Sequence, residues 1–171
     1  MIKSLKAIAL FPIVILFIVF QSCLSVEDPN SRTQEMEDLE ISQTIQKLET
    51  AGYDIDTTAS GLYYIIHENG TGPFPVEGDT CFIEYATYFI DGVLLDASQD
   101  HFTDGIWEMR LHRDSTIAGF YEGITMINKG TEADFIIPSE LGYGALGNGY
   151  VPPYTPLIFS VKLHDLKPKS E

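Results

Sequence analysis

Cationic side chains are scarce: 10 Lys and Arg stand against 25 Asp and Glu in 171 residues, a formal charge of −15. A phosphate backbone demands a basic face, so nucleic acid is excluded as a partner. Cysteine is nearly absent. Cys23 and Cys81 allow at most one disulfide, and neither lies in a Cys/His cluster with zinc spacing. The four histidines, His67, His101, His112 and His164, include no pair three or four apart, so no metal or other cofactor is expected. Ser-His-Asp catalysis has no GxSxG elbow to support it. No uncharged apolar run reaches the roughly 18 residues that span a bilayer. What is present is a 44% hydrophobic content, enough to pack one domain and to exclude wholesale disorder.

The apolar residues are unevenly spread. Residues 7–20 carry no charge and follow Lys3 and Lys6, the pattern of a signal-peptide core. With Phe20-Gln21-Ser22-Cys23 behind it, the start of the chain resembles a bacterial lipoprotein signal, although Phe20 and Gln21 are bulkier than usual there. The expectation is a signal peptide at 1–22, lipidation of Cys23 and a lipid-anchored protein of the cell envelope, with the outer membrane as the expected address. An uncleaved anchor or a secreted product remains open. Removal of 1–22 takes two lysines and no acid, moving the charge from −15 to −17. It would leave Cys81, within an apolar strand pattern, as a buried small hydrophobe.

Residues 23–56 read as a tether and an amphipathic helix. Met36, Leu39, Ile45 and Leu48 recur near helical spacing, Glu35, Glu37 and Asp38 load the first turns, and Gly52 stops the run. The narrow stripe suits docking on the chain's own domain, or a minor role, better than a stable dimer, and a monomer is expected. Over 57–171 the period becomes two: residues 61–67, 80–90, 107–113, 133–138 and 157–163 are strand-like, and Asp91-Gly92 marks a hairpin. Cys81, Ile83 and Tyr85 share one strand face and Glu84 the other. A short helix is predicted over 120–128 from Phe120, Ile124 and Ile127. Antiparallel strands with one covering helix make an α+β fold.

Gly142, Gly144 and Gly147 fit the GxGxxG dinucleotide pattern, but Gly149, Pro152 and Pro153 follow where that motif needs a helix, so the glycines mark a loop. Aromatic residues crowd the loop glycines and prolines: Tyr85, Trp107, Phe120, Tyr143, Tyr150, Tyr154 and Phe159.

Tyr85 with DGVLLDAS (91–98), IAGFYEGITMINKGTEADFIIPSELGYG (117–144) and VPPYTPLIFSVKL (151–163) together resemble the FKBP-type peptidyl-prolyl isomerases. The resemblance implies a curved five- or six-stranded antiparallel sheet wrapped around one short helix, with an apolar pocket between them. It implies that Tyr85 and Phe159 form walls, Phe120 the floor, and Leu95 and Asp96 one rim with Trp107 opposite. Ile117 would offer a backbone N–H and Tyr143 a hydroxyl to carbonyls of the bound segment, with Val151 on the loop above. Asp96 could instead be structural, bonded to a neighbouring hydroxyl or backbone group. Phe120 and Leu95 stand where reference members have the larger Trp and Phe, which implies a roomier pocket. The implied activity is rotation of X–Pro bonds in proline-containing unfolded or extracytoplasmic proteins; the alternative is a catalytically weak chaperone or binding module of the same fold.

Overall fold

The computed structural model describes residues 31–169. The expected signal at 1–22, Cys23 and the first part of the tether lie outside the described residues. Helix α1 (Gln34–Thr50) begins where the Thr33 hydroxyl accepts the Met36 N–H, a side-chain N-cap, and it ends before Gly52, whose φ of +95° continues no helix. Its buried face differs from the expected stripe. Met36 and Leu39 are 48% and 57% exposed, while Glu37 and Ile41 face inward. The helix is rotated because the Glu37 carboxylate finds donors on the domain beneath it.

Seven strands follow: β1 (Asp56–Thr57), β2 (Tyr63–Glu68), β3 (Thr80–Phe89), β4 (Leu94–Ala97), β5 (Trp107–Arg110), β6 (Glu132–Ile137) and β7 (Leu157–Lys167), with helix α2 (Ala118–Met126) between β5 and β6. All pairings are antiparallel in the order β1-β2-β6-β7-β3-β4. Strand β5 shares the outer edge of β3 with β4: β5 takes Thr80–Ile83 and β4 takes Ala86–Tyr88. The sheet is therefore six strands wide. Between the two short strands Ser98, fully buried, fills the gap. Its hydroxyl accepts the Tyr85 N–H at 3.1 Å and donates to the Gly105 carbonyl at 2.6 Å.

The Asp91-Gly92 turn forms as expected, with Gly92 at φ +89° and the Phe89 N–H on the Val93 carbonyl. Helix α2 starts two residues earlier than the periodicity predicts, because Ala118 and Gly119 tolerate the close approach to β6. A Cβ on Gly119 would lie 2.5 Å from Ile137 Cγ2, and one on Gly123 2.7 Å from the Phe135 ring. Two glycines one turn apart thus let the helix lie directly on the sheet. Between them Cys81, Ile83, Ile124, Phe135, Val161 and Leu163 form the core. The opposite sheet face is wet and carries pairs such as Lys162–Glu132 and His67–Asp134.

Candidate functional site

The period-two pattern of β3 and β7 sends Tyr85, Thr87, Leu157 and Phe159 to the helix side of the sheet. There they meet Phe120 on the first turn of α2. The result is a cavity of about 230 Å³ lined by Tyr85, Thr87, Leu95, Asp96, Trp107, Ser115, Thr116, Ile117, Phe120, Tyr143, Leu157 and Phe159. That is below the roughly 300–1,000 Å³ of sites for drug-sized ligands. It suits one ring and its flanking groups within a longer chain.

Phe120, 2% exposed, is the hub of the floor. Its centroid lies 5.1 Å from Phe159, 6.2 Å from Trp107 in a stacked arrangement, and 6.4 Å from Tyr85; Tyr85 and Trp107 meet edge-on at 5.7 Å. Such offset and edge contacts favour particular ring orientations, so the four rings brace one another around the cavity. The Tyr85 hydroxyl donates to Asp96 Oδ2 at 2.9 Å, and His101 Nε2 lies 2.6 Å from Asp96 Oδ1. Burial, then the Asp96 bond and charge, push the Tyr85 phenol well above its ordinary range, so it remains a neutral donor at any working pH. Asp96 thus holds a wall ring in place while standing at the cavity itself.

Two donors are left over. Ile117 is the N-cap of α2, with its backbone extended at φ −65°, ψ 149°. Among the described residues neither its N–H nor the hydroxyl of Tyr143 has an acceptor. An apolar ring cage with two unengaged donors can hold a small ring and bind carbonyl oxygens beside it.

Eight of the nine pocket residues expected from the sequence come together at this cavity. Val151 does not. It is 2% exposed, and its N–H donates to Asn148 Oδ1 while its carbonyl takes the Asn148 N–H. Its backbone therefore braces the turn of the loop, and it is absent from the cavity lining. A bulky apolar side chain after exposed Tyr150 is better buried under the loop than held at its rim. The sequence reading missed Thr87, Leu157, Ser115 and Thr116. Strand period places the first two, each two residues from a wall aromatic; nothing local marks Ser115 or Thr116.

Residues 72–164 match the family model for FKBP-type peptidyl-prolyl cis-trans isomerase. A probable FKBP-type isomerase of Haemophilus influenzae is 36% identical over 121 residues, covering 70% of this chain and 48% of that protein. The FKBP-type isomerase FkpA of Escherichia coli K12 is 37% identical over 114 residues, covering 67% and 41%. The crystal structure of Escherichia coli FkpA superposes with a TM-score of 0.66 at 31% identity, over 80% of this chain and 63% of that one. A peptidyl-prolyl isomerase structure from Pseudomonas syringae pv. tomato gives the same TM-score at 26% identity, covering 81% and 98%. This chain belongs to the FKBP-type peptidyl-prolyl cis-trans isomerase family. It spans about half or less of the length of those two curated relatives.

Proposed function

We propose that this protein rotates X–Pro peptide bonds in unfolded protein chains. The observation that carries the reading is the ring cage of Tyr85, Trp107, Phe120 and Phe159 beside two unengaged donors. Amide resonance sets a barrier of about 18–20 kcal/mol, and a twist near 90° breaks that conjugation. The planar amide is the more dipolar form and is better stabilised by water. An apolar cavity removes that advantage from the ground state, and a fixed shape favours the bent one. A 10⁴–10⁵-fold acceleration requires about 5.5–7 kcal/mol. Burial of a proline ring supplies roughly 1.5–3 kcal/mol, and counts only where the twisted form is held better than the planar one. The Tyr143 hydroxyl and the Ile117 N–H are the groups able to make that distinction.

About 10–30% of X–Pro bonds in unfolded chains are cis and relax over tens to hundreds of seconds, so proline-containing unfolded clients are the substrates. A Leu-Pro or Phe-Pro peptide followed in a protease-coupled assay tests this: acceleration that tracks enzyme concentration is expected. Saturable binding without acceleration would favour a chaperone, a role suited to Leu146 and Tyr150, 91% and 86% exposed on the loop after Tyr143. The basic start, the apolar run at 7–20 and Cys23 support a lipid-anchored envelope protein. Mass spectrometry of the mature amino terminus should find acylated Cys23; an intact Met1 would refute it.

A further inference from the structure

We propose that helix α1, which precedes the matched family domain, is a positioning element of the cavity. Glu37 and Arg32 fix the loop that presents Tyr143. This rests on the isomerase reading for its kinetic consequence, though not for its geometry.

Glu37 has no exposed surface. Its Oε1 accepts the Ser139 backbone N–H at 2.5 Å and its Oε2 accepts the Ser139 hydroxyl at 2.6 Å, across 102 residues of sequence; Gln34 Nε2 adds a third bond at 3.2 Å. A buried carboxylate is tolerated only when it is fully bonded, and its removal leaves those donors stranded. The Ser139 carbonyl in turn accepts the N–H groups of Gly142 and Gly144, each at 2.8 Å. These are the two residues on either side of Tyr143.

A second arm reaches the same place. The Arg32 guanidinium, paired with Glu40, donates from Nε at 3.2 Å and Nη2 at 3.0 Å to the Tyr154 carbonyl. Tyr154 sits at φ +48°, in the left-handed region that disfavours a side chain, and its N–H donates to the Gly144 carbonyl at 3.1 Å. Both arms therefore meet at Gly144. A loop of glycines would otherwise leave Tyr143 poorly fixed. A one-ångström error in the placement of such a group is costly to the reaction it serves.

The test compares full-length wild type with Glu37→Ala, Glu37→Gln, Arg32→Ala and Tyr143→Phe, with kcat/KM taken at equal folded fraction. Glu37→Ala is expected to lower kcat/KM by about three- to ten-fold. Glu37→Gln should restore most of it, since its carbonyl oxygen accepts the Ser139 N–H and its amide donates to the Ser139 hydroxyl. In a Tyr143→Phe background the Glu37→Ala effect should shrink to less than about two-fold, because it acts through that hydroxyl. Arg32→Ala, at a half-exposed contact, gives the same comparison if Glu37→Ala fails to fold. Fully additive effects, or an unchanged kcat/KM in folded Arg32→Ala and Glu37→Ala, overturn the proposal. Amide exchange over residues 139–144 is independent of turnover: faster exchange in the variants supports the clamp, and unchanged exchange refutes it even if wild type proves inactive.

Discussion

Tyr143→Phe separates chemistry from folding more cleanly than any other change at the cavity. Tyr143 is 36% exposed and its hydroxyl has no hydrogen-bond partner among the described residues. Its loss strands nothing, and stability should stay within about 0.5 kcal/mol of wild type. If the hydroxyl binds a carbonyl of the twisted bond, it contributes about 0.5–1.5 kcal/mol there, which is a roughly 2- to 13-fold fall in kcat/KM. A fall in kcat at constant KM would place the bond in the twisted state alone, whereas a rise in KM alone would mean equal binding of both states. Cys81→Ser is the converse control. It places a hydroxyl at a position with no exposed surface, a cost of about 1–3 kcal/mol if unbonded, with kcat/KM unchanged per folded molecule. Urea midpoints and peptide kinetics on the two variants give a two-by-two result. The reasoning fails if Tyr143→Phe retains full activity or Cys81→Ser loses more of it.

Ser98→Ala should lower stability by about 1–3 kcal/mol, since the Gly105 carbonyl and the Tyr85 N–H lose one shared partner; an unchanged urea midpoint would show that the bridge is dispensable. Gly123→Ala should also destabilise, by a net of about 1–2 kcal/mol, because the strain of a methyl against the buried Phe135 ring exceeds the gain in helix propensity. A more stable variant would mean that α2 can lift from the sheet. Burial, and then the Asp79 charge, push the Cys81 thiol up to about 12 from 9.0. A raised folded value leaves the thiol's contribution intact below pH 9, and stability declines as pH rises from 9 toward 12. Urea midpoints at pH 8 and 10 should therefore converge more in Cys81→Ala than in wild type, and equal slopes would contradict the burial of that thiol.

The strands, the hairpin at Asp91-Gly92 and the covering helix were legible because half-buried antiparallel strands alternate visibly and turn glycines are local signals. Tyr85, Phe120 and Phe159 were legible as well, because they fall in the stretches that carry the family resemblance. The inner face of α1 was not. A glutamate reads as a solvated residue unless its partner is known, and Ser139 lies 102 residues away. The burial of Val151 was hidden for a related reason: the loop turns on Asn148, whose side chain takes the N–H groups of Tyr150 and Val151. Ser98 shows the same limit, since a buried serine bridging an interrupted sheet edge leaves no periodic trace.

Strand β7, the last in sequence, lies at the centre of the sheet, with β6 on one flank and β3 on the other. Without β7, the ribbon of β1, β2 and β6 and the ribbon of β3 with its two short edge partners share no strand pairing. A polypeptide that has not yet delivered Leu157 onward lacks the strand that joins the two halves of the sheet, and with it two residues of the cavity lining, Leu157 and Phe159. Closure of the sheet and completion of the ring cage both depend on β7, because Phe159 is carried by the strand that joins the two halves.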